Sequence, residues 1–261
     1  MKKKLGFPRF VGIKLILQKL GLYVFVRGIY QSVSHAAMKE KKANKKFYSQ
    51  WVSPGDLCFD VGANVGQTVE ALIALKAKVV AVEPNQHCVK VLRQRFKNTN
   101  NLSILPIGLG SKPSTGTLYC MGTASTASLR DDWPHPTNEE QKIEITTLDL
   151  LIQQYGRPKL LKIDVEGYES EVIKGLSESV PIIYFEVHKK ELNEAISFLS
   201  HLNSISSLES LNLAKHDNTG WYFDDWTKYN QFLKRVVDLD FIAANIVVYS
   251  SPISLKGSAE K

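Results

Sequence analysis

The sequence predicts a doubly wound α/β domain, in which helices cover both faces of one sheet. Two observations carry this reading. From residue 57 onward, short apolar runs of strand length alternate with amphipathic segments of helix length. The first run, Leu57–Val61, ends in a Gly-rich turn, Gly62-Ala63-Asn64-Val65-Gly66, and a helix follows at Gln67. Strand, tight Gly turn and helix together open a nucleotide-binding βαβ unit.

Residues 1–46 form a basic, apolar-rich extension. Phe10–Tyr30 reads as helix, but Lys14, Gln18, Lys19 and Arg27 interrupt its apolar run. The uncharged stretches fall short of the ~20 residues that span a bilayer, and the same charges spoil a signal-peptide core. Cleavage after Ala36 or Ala37 is therefore not expected. Two readings stay open: a membrane-surface helix held on anionic lipid by Lys2–Lys4, Lys14 and Lys19, or a helical cap on the domain. Lys39–Lys46 is a charge run that suits a solvated face. Phe47–Gly55 is a short amphipathic approach closed by the turn Ser53-Pro54-Gly55. The division expected is an extension over 1–48 and a catalytic domain over 49–255.

The core then proceeds in order. A helix over 67–77 leads to a second strand, Lys78–Val82, which ends in Glu83-Pro84-Asn85. Val89, Leu92 and Phe96 mark a helix over 86–96. Leu102–Ile107 is the third strand, followed by Gly108-Leu109-Gly110. Residues 116–119 and 142–147 alternate like antiparallel strands, and the loop between them carries Ser125, Ser128, Trp133 and His135. Thr147-Leu148-Asp149 starts a helix. Leu160–Ile163 is a buried strand ending in Asp164-Val165-Glu166-Gly167, with a helix over 168–176 after it. Pro181–Val187 is the next strand, then a helix over 191–202. Residues 208–214 form a sixth strand and Ala243–Tyr249 the last. Residues 216–235 are rich in Trp221, Tyr222, Phe223, Trp226 and Tyr229. They read either as a sugar-stacking surface, with Asp224 and Asp225 bonding hydroxyls, or as a satellite hydrophobic cluster. The tail after Pro252 reads as disordered.

Charge and cysteine usage narrow the function classes. The chain of 261 residues carries +7, but residues 1–50 hold 12 lysines and arginines against the one acid Glu40, while the rest holds 21 against 25. The basicity belongs to the extension, and the body lacks the basic face that nucleic acid demands. Cys58, Cys88 and Cys120 show no paired spacing, so neither a disulfide framework nor a zinc site is expected, and a cytoplasmic, reducing compartment fits, with the extension peripheral on the membrane surface in one of its two readings.

In sheets of this kind the ligand sits beyond the carboxyl ends of the strands. Those ends carry Asp60, Glu83, Asp164 with Glu166, and Glu186 with His188. Glu83, 21 residues after Gly62, is placed to accept both hydroxyls of a ribose. The turn lacks the second glycine of the dinucleotide fingerprint, since Asn64 stands there, and Asp60 beside it repels a pyrophosphate but attracts an ammonium or sulfonium. That favours S-adenosylmethionine over a nicotinamide cofactor. A nicotinamide oxidoreductase is disfavoured because the third glycine of its fingerprint is missing and Asp60 is unfavourable. A nucleic-acid methyltransferase lacks its Asn/Asp-Pro-Pro-aromatic box, and a non-enzymatic module would be expected to lose one of the strand-end acids.

Five blocks in order, DVGANVGQ at 60–67, VEPN at 82–85, TTLDLL at 146–151, LLKIDVEGYESEVIKG at 160–175 and FEVH at 185–188, resemble the FkbM-type family of S-adenosylmethionine-dependent methyltransferases. The resemblance covers about residues 50–190. It implies a class I methyltransferase fold, Rossmann-like, with a mostly parallel seven-stranded sheet whose last strand is antiparallel. It also implies O-methylation of a sugar, glycolipid or natural-product hydroxyl. Carried over by position, Asp60, Gly62, Ala63, Asn64 and Gly66 would cradle the methionine part of the cofactor and Glu83 the ribose. Pro84, Asn85, Ile107 and Gly108 would flank the adenine, and Asp164 would lie beside the methyl group. An alcohol needs a base to take its proton. His188 is the first candidate because imidazole titrates near neutrality; Asp164 and Glu166 follow, a carboxylate being a weak base for an alcohol. No resident metal is expected, although Asp164 and Glu186 offer an alternative route through Mg²⁺.

Overall fold

A computed structural model describes residues 35–120, 127–130, 139–206 and 208–250. The sequence readings for residues 1–34, Ser125, Trp133, His135 and the tail lie outside the described residues. Helix α1 (His35–Tyr48) precedes strand β1 (Leu57–Val61). Helix α2 (Gln67–Ala74), strand β2 (Lys78–Val82), helix α3 (Gln86–Arg95) and strand β3 (Leu102–Leu105) follow. Four strands then form an inserted unit: β4 (Gly108–Leu109), β5 (Ser114–Cys120), β6 (Ala127–Ser128) and β7 (Glu139–Thr146). The chain returns through α4 (Leu148–Tyr155), β8 (Leu160–Ile163), α5 (Glu169–Lys174), β9 (Ile182–His188) and α6 (Leu192–Ile205). It closes with β10 (Ser210–Lys215), α7 (Tyr229–Asp238) and β11 (Ala243–Tyr249).

The large sheet has seven strands in the order β10-β11-β9-β8-β1-β2-β3. All pairs are parallel except those of β11, which is antiparallel to both β9 and β10. This is the doubly wound, mostly parallel sheet with one reversed last strand. A second sheet, β4-β7-β5-β6, folds the insertion beside it. One face of the large sheet packs Phe59, Leu161, Ile163, Ile183 and Phe185 against apolar residues of α4 to α7. The other packs Cys58, Leu160, Ile182, Val247 and Tyr249 against α2 and the end of α1. Strands buried on both faces read as continuous apolar runs, which is why β1, β2 and β11 have the predicted bounds.

The differences are local. The helix expected over 67–77 stops at Ala74, because Lys76 takes φ +62° and turns the chain. The strand expected over 102–107 ends at Leu105, where it pairs with β2, and Gly108–Leu109 beyond it pairs with β7 of the second sheet. The aromatic tract holds helix α7, and Phe223 and Phe232 pack edge to face within the core. Trp221 and Trp226 pack against each other and, with Phe47, Trp51 and Tyr249, close the core under α1. The tract thus joins the two main cores and does not form a satellite cluster of its own.

Candidate active site

Side chains of a strand alternate between faces, so register decides which strand-end polar groups meet. Asp60 is opposite Lys162, Lys162 opposite Tyr184, and Glu186 opposite Asn245. These groups, with Asp164, share the face covered by α1 and α2. That face is apolar over most of its length and becomes polar at the carboxyl ends.

The turn after β1 is held by geometry that few residues tolerate. Gly62 has φ +79°, and a Cβ there would lie 1.7 Å from the Asp164 carbonyl oxygen, so the turn passes directly over β8. Asn64 also sits in the left-handed region, at φ +50°. Glu83, 7% exposed, closes the turn: its Oε2 accepts from the Asn64 N–H at 2.7 Å and its Oε1 from the Asn85 N–H at 2.9 Å. Asn85 in turn caps α3, its Oδ1 accepting from the His87 N–H at 3.0 Å. Burial pushes the Glu83 carboxyl up to about 7 against these two hydrogen bonds.

A cleft of about 650 Å³ opens over this turn. Gly62, Asn64, Glu83, Pro84, Asn85, Ile107, Gly108, Asp164 and Glu166 all border it, so most of the predicted site converges. Its far wall comes from Leu118 and Ala127 of the second sheet and Leu129 just after β6, which sequence reasoning missed because the insertion separates them from the motif blocks. Ser128, buried beside them, donates to the Glu166 carbonyl at 2.9 Å and ties the insertion to the loop after β8. Glu169 holds the same loop, its Oε1 accepting from the Val165 N–H at 2.9 Å and the Gly167 N–H at 3.3 Å. Burial raises Glu166 and Glu169 to about 7, with nearby carboxylates adding to the shift. The apolar walls and the Glu83 carboxylate fit the nucleoside part of S-adenosylmethionine.

Asp60, Ala63 and Gly66 do not border the cleft. The expected contact between Asp60 and the ligand is replaced by an internal one. Asp60 is 0% exposed, and its Oδ1 lies 3.3 Å from the Lys162 ammonium. Burial raises the Asp60 carboxyl above its ordinary range, and Lys162 opposes the rise. Lys162 reaches Asp164 at 3.1 Å and donates to the Gly62 carbonyl at 3.3 Å. Burial disfavours the ammonium, but Asp164 and Asp60 outweigh burial and hold Lys162 above its ordinary value. A lysine inside the apolar run Leu-Leu-Lys-Ile was the sequence signal for this buried triad.

A second cleft, about 670 Å³, adjoins the first and shares Asp164 with it. Lys162, Tyr184, Glu186 and Asn245 line it from the sheet, Glu40, Asn44 and Tyr48 from α1, and His216 and Asn218 from the turn after β10. His188, the first catalytic candidate, borders neither cleft; its Nε2 lies 3.6 Å from Glu186 Oε2. For the Mg²⁺ alternative, Asp164 is paired with Lys162 and Glu186 with His216 at 2.8 Å. Among the described residues no group of three metal-binding side chains occurs.

A seven-stranded sheet with this order and one reversed strand, carrying a nucleoside-sized cleft over β1 and β2, defines the class I methyltransferase fold. The chain belongs to the FkbM methyltransferase family, whose domain matches residues 60–207. The hexuronic acid methyltransferase AglP of Haloferax volcanii is 29% identical over 140 residues, which are 51% of this chain and 56% of that protein. The chain thus spans little more than half the length of that relative. Two solved structures overlap it loosely. An rRNA methylase from Streptococcus thermophilus gives a TM-score of 0.46 at 9% identity, over 79% of this chain and 93% of that one. TYW2 of P. horikoshii, in complex with MeSAdo, gives 0.42 at 17% identity, over 84% and 65%.

Proposed function

We propose that the protein is an S-adenosylmethionine-dependent O-methyltransferase acting on a hydroxyl of a sugar, glycolipid or natural product. The observation that carries this is the pair of adjoining clefts meeting at Asp164: one shaped for a nucleoside, the other lined by groups that bond hydroxyls. The name of the AglP relative supports a sugar-type acceptor.

When bound, S-adenosylmethionine supplies a methyl group on sulfur that is already a good leaving group. The protein's task is then alignment and proton removal. Gly62 and Asn64 of the turn face the methionine part, Asp60 supporting the turn from beneath through Lys162. Glu83 accepts from the ribose hydroxyls, and Pro84, Asn85, Ile107 and Gly108 flank the adenine. Asp164 stands at the junction and orients the two reactants, with Glu166 beside it on the cofactor side. The catalytic domain is assigned to 49–255, and α1 of the extension supplies one wall of the acceptor cleft.

Titration calorimetry with S-adenosylhomocysteine tests the reading and should show one site. Absence of heat with this ligand, together with heat on adding NAD, would overturn it. Cys58, Cys88 and Cys120 are buried thiols outside any disulfide, which suits a reducing cytoplasm. No described helix is long and apolar enough to cross a membrane. The basic charge of residues 1–46 supports peripheral contact with anionic lipid. Co-sedimentation should then occur with anionic vesicles and weaken in high salt; equal pelleting on neutral vesicles would argue against it.

A further inference from the structure

The second cleft holds a pairing that the motif blocks do not contain. His216, in the turn after β10, places Nδ1 2.8 Å from Glu186 Oε1 at the end of β9. The carboxylate thereby fixes the ring with Nδ1–H as donor and leaves Nε2 to accept a proton. His216 has an exposed side chain and lines the cleft beside Asp164, where the two clefts meet. We infer that His216, positioned by Glu186, is the general base that takes the proton of the acceptor hydroxyl. This rests on the methyltransferase reading above and deepens it.

The other candidates are less well placed. Asp164 has its charge taken up by Lys162. Glu166 borders the cofactor cleft and not the second one. His188 touches Glu186 from outside both clefts. His216 and Glu186 are separated by 29 residues and by all of β10, so no local motif announces them.

The proton balance is simple. The acceptor O–H bond breaks and its proton moves to Nε2 of His216. The oxygen's electron pair forms the new O–CH3 bond while the S–CH3 pair returns to sulfur, giving a neutral thioether. The imidazolium, steadied by Glu186, then releases the proton to water. The charged groups facing His216 set its titration. Glu186, Asp164 and Asp217 favour the imidazolium and burial opposes it, so the ring sits above its ordinary value. Lys162 lies deeper, neutralised by Asp60 and Asp164, and Glu40 faces the cleft from α1. The base form therefore grows with pH, and transfer should rise through the titration of His216.

The test has two independent readouts. The first follows the His216 ring by NMR across pH without any ligand, assigned by its loss in His216→Gln. It should titrate above ordinary histidine in the wild type and fall in Glu186→Gln. The second measures methyl transfer from labelled S-adenosylmethionine to a panel of methyl hexopyranosides. His216→Gln should lower the rate by about 10²–10⁴-fold, and Glu186→Gln should move the rising limb to lower pH. Both variants should bind S-adenosylhomocysteine as the wild type does. A smaller loss for His216→Gln than for His188→Gln, or a His216 titration that ignores Glu186→Gln, overturns the assignment. Failure of the wild type to bind S-adenosylhomocysteine, together with binding of NAD, overturns the methyltransferase reading instead.

Discussion

Lys162 and Glu83 show how single residues set this site. Lys162 is 6% exposed and serves two carboxylates, one of them wholly buried. Replacing it with Met leaves Asp60 as an uncompensated buried charge, an arrangement that costs about 3–5 kcal/mol. Urea denaturation of Lys162→Met should show a loss of that order, and adding Asp60→Asn should recover part of it. Additive losses in the double variant would mean that the two side chains do not interact. Glu83 makes a prediction about binding. Its carboxyl sits near 7, and the ionised form is the stronger acceptor for ribose hydroxyls. Affinity for S-adenosylhomocysteine should therefore rise from pH 6 to pH 8, by up to about tenfold per unit below the titration point. Glu83→Gln should bind more weakly and with a flat pH dependence; a slope that survives the substitution would place the titrating group elsewhere. Glu83 was readable from its distance to the Gly turn. Lys162 was present in a quoted block yet passed over, because its role depends on which neighbours the register puts opposite it.

At the scale of elements, the sheet was readable and its coverings were not. β1, β2, β8 and β11 are apolar runs bounded by turns, so composition alone marks them. Helix α7 buries only Phe232 and Val236 among its residues, too sparse a stripe to separate from an aromatic loop. The second sheet shows its two long strands by alternation, but nothing local says that Gly108–Leu109 joins β7. Helix α1 misleads in a different way. Its Lys-rich face is solvated as expected, yet its last turn enters the core. Phe47 stacks edge to face on Trp51 and Tyr184, and Tyr48 lies fully buried at the rim of the second cleft. Trp51 also donates to the Tyr249 hydroxyl, tying this junction to the final strand. Phe47→Ala should thus destabilise the whole domain by about 3–5 kcal/mol, the usual cost of truncating a buried aromatic. The measurement is the midpoint of chemical denaturation. A change below about 0.5 kcal/mol would show that α1 is an appendage and not part of the fold.

At the scale of the molecule, charge is arranged by region: a basic leading segment, an acidic body, and a cluster of carboxyls buried at the carboxyl ends of the strands. That cluster makes a prediction about overall stability. Glu83, Glu166 and Glu169 each titrate near 7 in the folded protein against about 4.5 in an unfolded chain, chiefly because burial disfavours their charge. Between those two values the folded state binds more protons than the unfolded one, so stability falls as pH rises. His216 acts with the same sign slightly higher on the scale. Its folded value is raised, so its contribution is present below about 6.5 and is lost as pH rises through the folded value. The carboxyls with lowered values, Glu139, Glu171, Glu186 and Asp217, are ionised in both states above about pH 5 and add no slope there. The melting temperature without ligand should therefore decline steadily from pH 5.5 to pH 8. Replacing Glu169 with Gln removes one of the contributors and should flatten the decline, with a weaker acceptor left for the Val165 and Gly167 N–H groups. Scanning calorimetry at fixed ionic strength provides the check. A melting temperature that climbs across this interval would mean that the strand-end carboxyls are ionised in the folded protein well below neutrality, and that the site is far better solvated than its burial indicates.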